Sequence, residues 1–408
     1  MKIVAILFAL LLVAALSGVL YLRYRIVNTP DNENLEASID AEVNKFMPSG
    51  LFPGMVVGVY KDDRIFIKGY GTVDKEVRVL PDAKTTFQIG SVSKLFTASL
   101  LQALCDEGTV SMEATLGELI GGSMPLSPAT QQVTLKQLVT HTSGFPRIPK
   151  SLSVKATETA GEDDPLLDPY SYLGPKFMFE YLTTAEGKRE PGRFEYSNFG
   201  MGLLGHVLEV VTGKDYESLV KEKVLTPLGM TATAITATPE MMRRLAQGYT
   251  PKGAPTRAWT FAALAGAGAF YSNAEDMLRF IRESVEEGGL AFQSFQKMRM
   301  PQFGGDTGIG WIQPTFLDRF FGNRKVVWHN GMVGGYASYL SIDAETKTGV
   351  VILTNQASAT EMLGMQLTRQ VRTQSWSPHT PYNSSHLRNT SPQSNRKKEA
   401  YSETDSDH

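Results

Sequence analysis

The sequence predicts an α+β fold: one antiparallel sheet assembled from both ends of the chain, with flanking helices and a helical region inserted between the ends. Two observations predict it. Strand-like runs cluster near the N-terminus and again after residue 325, and helical periodicity dominates the stretch between them. At the N-terminus, residues 3–22, "IVAILFALLLVAALSGVLYL", carry no charge. Crossing a bilayer takes a helix of ~20 residues, whereas a signal-peptide core runs ~7–15. The segment 1–25 is therefore read as an uncleaved membrane anchor in preference to a cleaved signal segment. Lys2 on one side and Arg23 and Arg25 on the other leave its orientation open.

Residues 26–34 are a short polar linker, and "LEASIDAEVNKFM" has helical spacing. "GMVVGVY", the turn "KDDR" and "IFIKGYG" form a hairpin. Helical patterns follow at about 91–106, 134–140, 199–212, 215–225 and 274–287. "KVVWH", "GGYASYLSI" and "GVVILTN" return to strands, and 360–372 closes with a helix, so one domain is expected over 35–374. Residues 146–176 are polar and aperiodic, equally readable as a lid or as a surface insertion. The tail, 375–408, has almost no aliphatic residues and is expected to be disordered.

Of the 408 residues 42% are hydrophobic, enough for a large core. Lys plus Arg number 40 against 42 Asp plus Glu, so no basic excess points to a nucleic-acid partner. Cys105 stands alone and the six histidines lack metal-ligand spacing, so neither a disulfide, a metal nor another cofactor is expected.

Ser91 and Lys94 in "QIGSVSKLFTA" have the spacing of a nucleophile and its base. Spacing alone settles nothing, because Ser218/Lys221, Ser294/Lys297 and Ser394/Lys397 share it. Ser394 lies in the tail, Ser218 on the polar face of a helix, and Ser294 follows neither a glycine nor a strand. Only Ser91 follows a strand and a glycine and then opens an apolar helix. There, free N–H groups and the helix dipole favour a developing anion, and residues three apart share a face. A buried lysine can lose its charge and act as a base. Serine is equally at home there as a plain helix cap, so these residues alone leave both readings open.

A second constellation separates the readings. "PGRFEYSNFGMGLLGHVLEVVTG" places Tyr196-Ser197-Asn198 in a turn before a helix. With it the chain resembles the serine β-lactamase-related family, which includes class C β-lactamases, low-molecular-weight penicillin-binding proteins, family VIII esterases and D-aminopeptidases. The resemblance runs from about residue 38 to 356. "FQIGSVSKLFTA" is similar to the family's S-x-x-K element and "YSN" to its Y-x-N element. "VTLKQLVTHTSGFP", "LTPLGMTAT" and "GVVILTN" resemble framework segments. The resemblance implies the β-lactamase/transpeptidase-like fold, with Ser91 as nucleophile of an acyl-enzyme. It implies that Lys94 and Tyr196 share the proton transfers and that Asn198 bonds the substrate or Lys94. A tyrosine, ordinarily titrating near ~10, would need Lys94 as a cation to stabilise its phenolate. "AFYSN" at Tyr271 repeats the triplet, but it reads as a framework segment with Ser272 or Asn273 capping a helix. His141 in "THTSG" reads as structural.

The family's lysine-threonine-glycine element has a literal copy, Lys347-Thr348-Gly349, placed in a turn between two strands. The stretch matching the family's position is "VVWHNGMVGGYASYL", giving His329-Asn330-Gly331. Gly331 would admit substrate close to the strand, and the resemblance gives the oxyanion hole to the N–H groups of Ser91 and Met332. Such donors contribute about 3–4 kcal/mol each. Histidine is mostly neutral at pH 7, so weaker selection for carboxylate-bearing substrates is expected. The reading is a membrane-anchored serine hydrolase acting on an ester, amide or peptide, esterase- or D-peptidase-like, with its domain periplasmic or extracellular. The alternatives are a weak β-lactamase or D,D-carboxypeptidase and, outside the enzymes, an idle penicillin-binding-like sensor or scaffold.

Overall fold

The computed structural model describes residues 2–28, 30–47, 53–150, 168–171, 174–185, 188–305, 307–320, 322 and 325–377. Most of the 146–176 loop, Ser394/Lys397 and the tail from 378 lie outside the described residues. Helix α1 (Lys2–Val27) precedes α2 (Leu35–Phe46), whose first turn is capped by the Asn34 side chain on the Ala37 N–H at 3.1 Å. Strands β1 (Gly54–Lys61) and β2 (Arg64–Gly71) form the expected hairpin. Its turn holds Asp62 and Asp63, both at positive φ, a conformation aspartate tolerates better than most residues.

Two short pairs bracket the inserted region: β3 (Phe87–Gln88) with β6 (Tyr271–Ser272), and β4 (Gly248–Tyr249) with β5 (Pro255–Thr256). Strands β7 (Val326–Val333), β8 (Tyr336–Asp343) and β9 (Thr348–Thr354) complete a five-stranded antiparallel sheet in the order β2-β1-β9-β8-β7. The two chain ends thus meet at β1 and β9, and β7 is an edge strand.

The sheet separates two cores. On one face α2 and α6 (Glu361–Thr373) cover Met55, Val57, Val59, Val350 and Ile352. On the other lie α3 (Lys94–Asp106) and α5 (Ala274–Val285), with α4 (Asn198–Thr212) behind them. A Cβ on Gly349 would sit 2.3 Å from the Ile281 side chain, so glycine lets α5 lie close against β9. Lys347 of the same triplet pairs with Glu287 at 3.2 Å. Turn geometry and helix packing therefore account for the literal Lys-Thr-Gly copy.

Two boundaries move. The compact domain does not stop at 374: Trp376 is 8% exposed, joins the second core, and donates to the Lys61 carbonyl at 3.2 Å. A large aromatic that joins an apolar core removes much surface from water, which offsets the polar residues around it in sequence. The linker is likewise tied down, since the Gln374 side chain accepts from the Asn32 N–H at 2.8 Å and donates to the Pro30 carbonyl at 2.9 Å. The membrane anchor expected over 3–22 is not supported, because among the described residues no helix is long and apolar enough to cross a membrane. The described apolar side chains of α1, from Phe8 to Leu22, are exposed.

Candidate active site

The Ser91 turn is pinned from three sides. Residues Gly90–Ser93 form a single tight turn that runs into α3, and no side-chain cap bond is made there, so Ser91 is not a plain helix cap. The Ile89 N–H donates to the Phe270 carbonyl at 3.0 Å, and the Phe270 N–H donates to Ser93 Oγ at 3.2 Å. Ser338 on β8 donates to the Ile89 carbonyl at 2.7 Å, tying the turn to the sheet.

Lys94 is fully buried. Its Nζ lies 2.9 Å from Ser91 Oγ and donates to the Ala267 carbonyl at 2.5 Å. Burial holds the amine well below the ordinary lysine range, and the Arg147 cation lowers it further. A neutral amine keeps a lone pair free for a proton from Ser91.

Tyr196 faces the same hydroxyl. Its ring centroid lies 4.9 Å from Lys94 Nζ, and the Ser91 side chain is near enough to act on its phenol. Burial raises its pKa, while Ser91 and Arg147 act in the opposite direction. Burial thus disfavours the charged form of each group, which runs against the expected pairing of a phenolate with a lysine cation. His141 holds Tyr196 in place. Its carbonyl accepts the Glu195 N–H at 2.7 Å, its Nδ1 accepts the Ser197 N–H at 3.1 Å, and its ring lies 4.5 Å from that of Tyr196.

Asn198 opens α4, and among the described residues its side chain makes no hydrogen bond to Lys94, one of the two partners expected for it. Its Nδ2 donates to the Tyr170 hydroxyl at 2.6 Å, and its buried Oδ1 has no partner among the described residues. Tyr170 comes from the loop that sequence reading left unassigned, and it stacks on Phe261 at 4.6 Å. Tyr271, the decoy, sits on β6 opposite Gln88, and the adjacent Asn273 caps α5 by accepting from Asp276 at 2.9 Å.

On β7, His329 is fully buried. Its Nδ1 lies 2.7 Å from its neighbour's carbonyl, Asn330 O, which fixes the proton on Nδ1 and leaves Nε2 as an acceptor with no partner among the described residues. Burial, with Lys94 adding to it, pushes its pKa down to about 3. The ring is neutral at any ordinary pH. Gly331 touches the Ser91 turn, where a Cβ would stand 2.1 Å from Ile89 O and 2.9 Å from Ser91 N.

The Val333/Tyr336 pair flanks the two-residue turn between β7 and β8, so Met332/Ala337 is the next, non-hydrogen-bonded pair. The Met332 N–H consequently points off the sheet edge, on the side where Gly90 approaches. The Met332 side chain is 45% exposed. Among the described residues no group of three or more His, Cys, Asp or Glu side chains is placed to hold a metal ion.

The family pattern described as Beta-lactamase matches residues 39–373, more than half of the chain. The chain belongs to the β-lactamase family. It is a serine hydrolase of that family, with the β-lactamase/transpeptidase fold. Among similar proteins, the D-alanyl-D-alanine-carboxypeptidase/endopeptidase AmpH of Escherichia coli (strain K12) is 27% identical, over 76% of this chain and 82% of that one. A β-lactamase of Psychrobacter immobilis is 26% identical, over 80% and 84%. The octameric penicillin-binding protein homologue from Pyrococcus abyssi superposes with a TM-score of 0.69 and 27% identity, over 83% of this chain and 78% of that one.

Beyond the residues that the motifs single out, this member of the β-lactamase family places Tyr170, Arg147 and the Ala267 carbonyl in its site. Only Ala267 left a local trace, in the small-residue run "LAGAGAF".

Proposed function

We propose that Ser91 is the nucleophile of an acyl-transfer hydrolase acting on an ester or amide, esterase- or D-peptidase-like. The observation that carries this reading is the buried Lys94 amine 2.9 Å from Ser91 Oγ. Ser91 Oγ attacks the substrate carbonyl carbon as its proton passes to Lys94 Nζ. The carbonyl oxygen takes the negative charge against the N–H groups of Ser91 and Met332. Tyr196 then gives its phenol proton to the leaving group as the scissile bond breaks, and the Lys94 ammonium restores the phenol. Water repeats the sequence on the acyl-enzyme and frees Ser91. Asn198 Oδ1 and His329 Nε2, both buried acceptors without partners among the described residues, would take substrate N–H groups.

The test follows p-nitrophenyl butyrate and a chromogenic cephalosporin side by side, with Ser91→Ala as control. Ester turnover that falls by about 10⁴-fold or more in the control, with little cephalosporin cleavage, is the expected result. Rapid cephalosporin turnover would instead make the chain a β-lactamase, a reading supported by the relatives that bear that name. Stable labelling of Ser91 without turnover would mark a non-catalytic sensor.

We also propose that residues 3–22 tether this domain to a membrane, with the domain on the periplasmic or outer side. The uncharged run and the exposed apolar side chains from Phe8 to Leu22 support it. The full chain should stay in the membrane pellet through an alkaline carbonate wash. Release into the supernatant would remove the tether from the proposal.

A further inference from the structure

We propose that Arg147 selects substrates whose leaving group carries a carboxylate, filling the charge role that His329 cannot perform. The inference rests on acyl transfer at Ser91. It starts from geometry: Lys94, His141 and His329 are all buried, and burial lowers the pKa of each, which disfavours the charge that would attract an anion. Arg147 is the guanidinium that faces these groups. Its Cζ lies 5.2 Å from the Tyr196 ring centroid, its side chain is exposed, and among the described residues it has no ion pair or side-chain hydrogen bond. Its charge is felt at Lys94, His141, Tyr170 and Tyr196, which fixes the direction of its field into the site.

The position is built rather than incidental. The Arg147 carbonyl accepts the N–H groups of Asn198 and Phe199, each at 3.1 Å, and the Pro146 carbonyl accepts Ser197 Oγ at 2.8 Å. The segment bearing Arg147 is thereby latched to the same turn that presents Tyr196 and Asn198. Tyr196 is the group that protonates the departing atom, so a cation over its ring stands on the leaving-group side. A guanidinium offers a planar fork to a carboxylate, and with its solvent side free it can take up that partner without first breaking another pair.

The experiment compares two esters with one acyl group, 3-carboxyphenyl butyrate and its 3-(methoxycarbonyl)phenyl counterpart, on the full chain and on Arg147→Gln and Arg147→Lys. The readout is the ratio of kcat/KM for the two esters. Any effect of Arg147 on Lys94 acts on both esters and cancels. Wild-type protein should prefer the carboxylate ester, Arg147→Gln should lower the ratio by about 10–100-fold, and Arg147→Lys should retain part of it. Salt should weaken the preference in wild type and leave Arg147→Gln unaffected. No preference in wild type, or an equal fall for both esters in Arg147→Gln, would overturn the assignment. If neither ester shows Ser91-dependent turnover, the acyl-transfer reading itself fails and the inference falls with it.

Discussion

Replacing Lys94 by methionine is expected to reduce kcat/KM by about 10³- to 10⁴-fold, the scale of a lost general base. Methionine fills similar volume but offers Ser91 no lone pair, so the hydroxyl keeps its proton and stays a poor nucleophile. The same variant reports on the charge state of the buried amine. Its folded-state pKa is depressed by burial, so between that value and the ordinary ~10.4 the unfolded chain binds more protons than the folded one. Stability of the wild-type protein therefore rises with pH through that window. In Lys94→Met this rise should be smaller, measured by denaturant unfolding at a series of pH values. Activity of the wild type should climb with pH through the same depressed pKa, because only the neutral amine accepts the Ser91 proton. An activity profile that fell over that range would refute a neutral Lys94.

Gly331→Ala carries the second large effect. The new Cβ would lie 2.1 Å from Ile89 O, 2.6 Å from Ser338 Oγ and 2.9 Å from Ser91 N. Two of these three atoms are backbone, so the edge strand or the Ser91 turn must move. Either movement spoils the alignment of the Met332 and Ser91 N–H groups. Losing one such donor costs about 10²- to 10³-fold in kcat. The loss should appear in kcat more than in KM, with the cooperative unfolding transition retained. An unchanged kcat would remove the oxyanion role from this pair of amides.

Much of this architecture is readable before any coordinates, and the reasons differ by element. The β1–β2 hairpin and β7–β9 announce themselves through β-branched runs and turn residues, which are local signals. Ser91 and Lys94 could be placed together because neighbours three apart on a helical turn meet whatever the rest of the chain does. Tyr196 could be told from Tyr271 because each triplet sits in a different local frame. The protonation states were not legible, since they depend on burial from segments far away in sequence: the Ala267 carbonyl, the Tyr196 ring and Arg147 close over Lys94 only in three dimensions. Tyr170 and Trp376 were missed for a related reason. Both belong to stretches whose average composition is polar, and a single aromatic that packs leaves no periodicity behind.

The pairing of Met55 with Thr354 and of Tyr60 with Gly349 has a consequence for how the protein comes to exist. The centre of the sheet joins strands from opposite ends of the chain, so contact order is high and the cost of closing the intervening loop precedes any reward. During synthesis at ~5–20 residues per second, β1 and β2 emerge long before β9 and wait as an open hairpin with an unpaired edge. Ser91 is made early too, but the strand that supplies Met332 arrives late. A chain truncated before β7 is therefore expected to keep an unpaired β1 edge and to show neither turnover nor resistance to aggregation.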